Sequence, residues 1–349
     1  MRTVLVTGGC GFIGSHFVRL LLAQDRWRVV NVDLLTYAGH LENLPGVSDG
    51  PGYRFVRGDI ADAGLIDGLV RDERPWAVVN FAAESHVDRS ILDAGPFLRT
   101  NVAGVHVLLE AVRRHGTARF VQISTDEVYG DADGHPASDE AAPLRPSSPY
   151  AASKAAADLL CLAFVRTHGA PVVIVRSSNN YGPFQFPEKL IPVLCRNALR
   201  GEALPVYGDG LQRRDWLYVE DNVRAILAVL ERGEPGQVYN AATGQERTNL
   251  EVAQAVCRAL AARTVDAPQV LLDSIRHVPD RPGHDRRYAV VTDRIRDELG
   301  WRPLVAFEQG IEWTLDWYVA HEDWIARVVS EDQDSYYEDV YTRVWRRAP

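Results

Sequence analysis

The chain has 349 residues, 46% of them hydrophobic and 24% charged, with a formal net charge of −9. That length allows one large domain or two unequal ones, and the fractions are those of an ordinary globular protein. The acidic balance excludes nucleic acid as a bulk partner, which would need a basic face, while local arginines or helix N-termini can still bind a small anion.

Thr3–Thr7 is a short β-rich run followed by Gly8-Gly9-Cys10-Gly11-Phe12-Ile13-Gly14, after which apolar residues recur at helical period. Strand, glycine loop and helix together form a dinucleotide fingerprint, in which backbone N–H groups and the helix N-terminus meet a pyrophosphate. A second strand, Arg28–Val32, ends at Asp33, 19 residues after Gly14. An acidic side chain there bonds ribose hydroxyls and repels a 2′-phosphate, so NAD is expected rather than NADP. Tyr53–Arg57 is the third strand, and Asp59 behind it either meets the cofactor or caps the helix beginning near Asp62. Trp76–Phe81 is the fourth, running into Ala82-Ala83-Glu84-Ser85-His86-Val87-Asp88. Small residues there let a cofactor lie against backbone. Glu84, His86 and Asp88 bring chemistry to the same edge, with His86 equally well read as a structural histidine. Asn101–His115 is predicted to be a helix.

The apolar run Phe120–Ile123 reads as a buried strand, and Ser124-Thr125-Asp126-Glu127 sits at its end, where parallel α/β sheets bind ligands. Two adjacent carboxylates can divide acid and base roles when their environments push their pKa values apart. Tyr150 and Lys154 lie one turn apart on a predicted long helix, Tyr150–His168, so they share a face. An ammonium beside a phenol lowers its pKa and fits it to act as a base. Pro171–Arg176 is the sixth strand.

Beyond it the regular alternation stops. The expected fold is α/β, a Rossmann-type doubly wound parallel sheet with a smaller C-terminal substrate-binding region. The NAD-binding part spans 1–178 with later returns near 219–242, and 179–349 mainly binds substrate. Arg213-Arg214 and the Arg281–Arg287 segment concentrate positive charge beside aromatics; they read as a diphosphate site or as a salt-bridged surface. Tyr207 is a candidate for stacking on a base. The four cysteines lack C-x-x-C spacing, so no metal site or disulfide framework is expected. No apolar run has membrane-spanning length and Met1-Arg2 leads straight into a strand, so the expected location is cytoplasmic, without membrane association.

These motifs together resemble the extended short-chain dehydrogenase/reductases, and more narrowly the dTDP-glucose 4,6-dehydratases. The narrower signals are Thr125-Asp126-Glu127, Glu84–Ser90, Asn179–Pro183 and Pro187–Leu190. The resemblance implies an internal redox cycle on dTDP-glucose with regenerated NAD. Tyr150, assisted by Lys154 and Thr125, would take the C4 hydroxyl proton as hydride leaves C4. Glu127 would remove the C5 proton, Asp126 would protonate the departing C6 hydroxyl, and hydride would return to C6. By the same resemblance the cofactor meets Gly8, Gly11, Phe12, Ile13, Gly14, Asp33, Asp59, Ile60, Ala82, Tyr150, Lys154 and Asn179. The substrate meets Ser85, Thr125, Asn179, Glu188, Lys189, Leu190, Pro205, Tyr207, Arg214, Asn249, Arg281 and His284. A late tyrosine of the family corresponds to Tyr336 or Tyr337. Homodimers paired through Asn101–His115 and Tyr150–His168 are implied as well.

The chain departs from the family pattern at Cys10, where alanine is usual, and at Arg176-Ser177-Ser178. A UDP-sugar 4-epimerase or decarboxylase of the same superfamily would leave Asp126 and Glu127 without roles. A non-catalytic NAD-binding regulator would be expected to lose one of the two residue pairs.

Overall fold

The structure is a computed structural model that describes residues 1–47, 49–264 and 267–329. Its centre is a seven-stranded sheet formed by β1 (Arg2–Thr7), β2 (Trp27–Asp33), β3 (Tyr53–Arg57), β4 (Ala77–Asn80), β5 (Arg119–Thr125), β6 (Val172–Ser177) and β10 (Val238–Ala241). The spatial order is β3-β2-β1-β4-β5-β6-β10 and every pairing is parallel. Helices cover both faces, which is why these strands read as near-continuous apolar runs: Val4, Leu5, Val6, Val29, Val30 and Val32 are all fully buried. The doubly wound Rossmann-type sheet expected from the sequence is present.

The strand order reverses between β1 and β4, and the loops leaving their carboxyl ends diverge there to open a crevice. A polar ladder fixes these ends. The Thr7 hydroxyl donates to Asn80 at 2.5 Å, and the Asn80 amide donates to Gln122 at 2.9 Å, linking β1, β4 and β5.

Over the crevice lie two small sheets. β7 (Asn179–Tyr181), β9 (Arg213–Tyr218) and β11 (Glu246–Thr248) form one, in the order β11-β9-β7; β8 (Leu204–Tyr207) pairs with β12 (Ile275–Val278) in the other. They enclose an apolar core of their own with helices Leu190–Leu199, Asn249–Ala261 and Phe307–Ala320. Buried Asp215 on β9 ties this region to the large sheet. Its carboxylate accepts from the Ser178 hydroxyl, from the Thr243 N–H and hydroxyl, and from the Gln245 N–H, all within 3.1 Å.

The structure departs from the sequence expectations locally. The helix expected over Asn101–His115 begins earlier, at Gly95, and passes through a wide π-helical turn, Leu98–Gly104, before the regular stretch Val105–His115. The extra residue in that turn points Asn101 inward. Its side chain accepts from the Glu84 N–H and donates to the Glu84 carbonyl and the Ser153 hydroxyl, each at 2.9 Å. β5 extends through Ser124 and Thr125, because both pair in register with Arg176 and Ser177 of β6. Asp59 does not cap the following helix. Asp62 does, accepting from the Leu65 N–H at 3.0 Å, while Asp59 pairs with Arg99 at 2.7 Å.

Candidate active site

The residues expected to serve catalysis, cofactor and substrate, apart from Arg213, Arg286 and Arg287, line one cleft of about 420 Å³ between the large sheet and the small ones. Tyr336 and Tyr337 lie outside the described residues.

At the cofactor end, the glycine loop is too close to its surroundings for side chains. A Cβ on Gly8, whose φ is +70°, would lie 2.5 Å from the Ala82 nitrogen, and one on Gly14 would lie 2.2 Å from the Gly8 carbonyl oxygen. Gly11 begins the helix Phe12–Leu22, which has neither a capping side chain nor an acidic residue in its first turn. Among the described residues no side chain caps its first N–H groups, which makes this helix start a ready site for an anion. Asp33 at the end of β2 is held by the Cys10 N–H at 2.9 Å and the Leu35 N–H at 2.8 Å. A carboxylate fixed there accepts from ribose hydroxyls and excludes a 2′-phosphate. These residues fit a dinucleotide, and NAD in particular.

At the chemical centre, Asp126 and Glu127 occupy a short 3-10 turn, Asp126–Tyr129, capped by the Thr125 hydroxyl, which accepts from the Glu127 N–H at 3.2 Å. Asp126 is 2% exposed; burial and then the charge of Glu127 push its carboxyl up to about 8, leaving it neutral at pH 7. One oxygen of each carboxylate, Asp126 Oδ2 and Glu127 Oε2, is buried without a hydrogen-bond partner. Unsatisfied carboxylate oxygens in a native interior call for a ligand to complete them.

Tyr150 and Lys154 face this turn from the helix Pro149–His168, which Ser148 caps through the Ala151 N–H at 3.1 Å. The depressed phenol expected from the sequence is not what this structure holds. Burial and then the nearby Glu127 charge push Tyr150 well above its ordinary value, with the Thr125 hydroxyl offsetting part of the effect. Lys154 donates to the Ile123 carbonyl at 2.5 Å, and burial brings its ammonium down to about 8.

The arginines divide. Arg214, 4% exposed, donates to the carbonyls of Arg213 and Asp285 and lies 4.1 Å over the Tyr288 ring. Arg281 donates to Asp88 at 3.2 Å. Both line the cleft, whereas Arg286 and Arg287 are paired with Asp209 and Glu246 outside it, and Arg213 also lies outside the lining. Tyr207 donates its hydroxyl to Asp88 at 2.7 Å and meets His284 edge-on. Lys189 donates to the Ser85 carbonyl at 2.8 Å, and Glu188 accepts from the Tyr37 hydroxyl at 3.2 Å. His86 is buried and caps the helix Val87–Leu92 through the Arg89 N–H, and it lines the cleft as well, with Nε2 3.9 Å from Glu188. Sequence reasoning missed Thr36, Thr100, Gln185 and Trp216 as lining residues. Thr100 sits in the π-helical turn and carries no local signal, while Gln185 sits two residues after Asn179–Pro183 and was within reach of that motif.

A dinucleotide loop, a tyrosine–lysine pair on one helix and a second region closing over them define an extended short-chain dehydrogenase/reductase enzyme acting on a nucleotide-linked substrate. The family described as GDP-mannose 4,6 dehydratase matches residues 5–314. A dTDP-glucose 4,6-dehydratase of Xanthomonas campestris is 49% identical, over 94% of this chain and 96% of its own length. The solved dTDP-glucose 4,6-dehydratase DesIV of Streptomyces venezuelae, with NAD and TYD bound, has a TM-score of 0.89 and 46% identity, covering 94% of this chain and all of that one. A Thermus thermophilus UDP-glucose 4-epimerase in complex with NAD has a TM-score of 0.83 at 34% identity, covering 92% of this chain and all of that one, so the fold alone does not separate the two reactions. The chain belongs to the dTDP-glucose 4,6-dehydratase family.

Proposed function

We propose that this chain uses NAD to convert dTDP-glucose to dTDP-4-keto-6-deoxyglucose, with Tyr150, Asp126 and Glu127 carrying the three proton transfers. Gly8, Gly11, Gly14 and Asp33 would hold NAD, which when bound would supply the hydride acceptor for C4 and the hydride donor for C6. Tyr150 needs positive charge near it, since burial and Glu127 otherwise hold its proton in place. Lys154, on the same helix face, is the protein's own source of that charge. Tyr150 takes the C4 hydroxyl proton, with the Thr125 hydroxyl beside it. The ketone formed at C4 makes the C5 proton acidic, and Glu127 removes it. Asp126 gives its proton to the C6 hydroxyl, which leaves as water; Glu127 returns a proton to C5 at the end. The proton gained by Tyr150 makes good the one lost by Asp126, so the cycle closes with the loss of one water.

The observation that carries this reading is geometric: Asp126 and Glu127 adjoin at the end of β5, each with an unpartnered buried oxygen in the same cleft as Tyr150. An epimerase has no use for that pair. Arg214 and Arg281 line the cleft and suit the diphosphate as planar forks, and Lys189, Leu190, Pro205, Tyr207 and Asn249, which line the same cleft, would meet the nucleoside. The residue roles are tested by exchange of the C5 hydrogen with deuterated solvent. Asp126→Asn is expected to keep exchange at C5 while losing most of the dehydrated product. Glu127→Gln is expected to lose both, by about a hundredfold or more, as for a general base. Full activity of Glu127→Gln would remove Glu127 from the mechanism.

Two copies pair, in this reading, through the helical stretches Gly95–His115 and Pro149–His168, whose Leu98 and Leu159 are 56% and 58% exposed. The four cysteines are all free and buried, which fits the cytoplasm. Among the described residues no helix is long and apolar enough to cross a membrane. The net charge of −9 argues against nucleic acid as a bulk partner.

A further inference from the structure

We propose that Asp88 is a positioning residue for nucleotide-sugar binding, holding Arg281 and Tyr207 in place across the cleft so that the guanidinium keeps free donors for the diphosphate. This rests on the reading of the cleft as a nucleotide-sugar site. Asp88 lies in the first turn of the short helix Val87–Leu92, at the carboxyl edge of the large sheet. Arg281 and Tyr207 come from the region that closes over it, and Asp88 is 193 residues away from Arg281 in the chain. Both carboxylate oxygens are used: Oδ1 accepts from Arg281 Nη1 at 3.2 Å and Oδ2 from the Tyr207 hydroxyl at 2.7 Å. Asp88 is 4% exposed. Burial pushes its carboxyl upward, but His86, Arg281 and the Tyr207 hydroxyl together hold it below the ordinary carboxylate range, so it is charged at neutral pH.

A surface ion pair would matter little, but a buried carboxylate with two charge-assisted bonds fixes its partners. The Arg281 Nε–H is buried without a partner, and the side chain lines the cleft. One edge of the fork is thus anchored while a donor remains for an anion. After Asp88, the carboxylate acting most strongly on Arg281 is Glu127. Without Asp88 the guanidinium is left to be drawn toward the group proposed as the C5 base. The same carboxylate thus joins the two sides of the cleft.

The test compares the wild-type enzyme with Asp88→Asn and Tyr207→Phe, each carrying its bound cofactor. For Asp88→Asn the KM for dTDP-glucose and the Kd for dTDP by calorimetry are expected to rise about tenfold, while the Kd for thymidine stays within about twofold, as for loss of a hydrogen bond to a charged group. Tyr207→Phe, which removes one of the two bonds, is expected to show a smaller rise of the same kind. Cofactor content should stay that of the wild type. Unchanged dTDP affinity in both variants would overturn the proposal, as would a fall in kcat with cofactor loss and no change in KM, which marks a merely structural role. If the wild-type enzyme neither binds dTDP nor turns over dTDP-glucose, the reading of the cleft itself fails, which is a different result.

Discussion

Asp126 and Glu127 are chain neighbours of similar chemistry whose surroundings separate them. Asp126 is buried and keeps its proton to about pH 8, and Glu127 supplies part of the repulsion that keeps it there. Lys154 loses its charge in the same range, since burial brings it down to about 8. The signs agree for activity: Asp126 must be protonated to release water and Lys154 must be charged to help Tyr150, and both conditions end as pH rises through about 8. A kcat profile is therefore expected to fall above about pH 8, by about tenfold per unit once one group is lost. A rate that climbs steadily from pH 8 to pH 10 would contradict this assignment. At the same scale, the arginines show where sequence reading stops. Arg214 and Arg281 line the cleft while Arg286 and Arg287 are spent on surface carboxylates, yet all four sit in similar basic, aromatic surroundings in the chain. What separates them is the distant Asp88 or the carbonyls facing them, which spacing does not reveal.

Among the elements, the buried parallel strands were the most legible, because strands covered on both faces must be apolar throughout. The glycine loop was legible for the same kind of reason: its residues are dictated by backbone closeness. A methyl group on Gly14 would meet the Gly8 carbonyl oxygen at 2.2 Å and the Gly9 Cα at 2.9 Å, so the loop would have to move. Gly14→Ala is expected to fold but to retain NAD at least about tenfold less tightly, measured as cofactor content after gel filtration, since overpacking of this kind costs about 1–3 kcal/mol. Full cofactor content in that variant would show that the loop does not bind it. The elements that escaped the sequence are those set by tertiary partners. The π-helical turn exists because Asn101 satisfies both backbone groups of Glu84 and bonds Ser153, and no helical period announces it. The cap at Asp62 rather than Asp59 is a shift of three residues, and Asp59 is instead taken up by Arg99, 40 residues away.

For the whole molecule, the Asp126–Tyr129 turn, the glycine loop and Arg214 with Arg281 are held by separate structures that meet at one cleft. The large sheet supplies the first two, and Asp215, bonded to Ser178 and to the loop after β10, holds the second region against it. We propose that 1–178 with 219–242 form the NAD-binding unit and that the described residues of 179–218 and 243–329 mainly bind substrate. The proposed pairing surface lies on the helices Gly95–His115 and Pro149–His168, away from the small sheets. Leu98→Glu combined with Leu159→Glu is expected to convert a dimer to a monomer in analytical ultracentrifugation; a dimer surviving both substitutions would place the interface elsewhere. The most direct measurement is mass spectrometry of dTDP-glucose, UDP-glucose and GDP-mannose, each incubated with the purified protein in deuterated solvent. The expected result is that dTDP-glucose alone loses one water and that its product carries solvent deuterium at C5. An isomer of unchanged mass with no deuterium at C5 would contradict the account, because it would leave Asp126 and Glu127 with nothing to do.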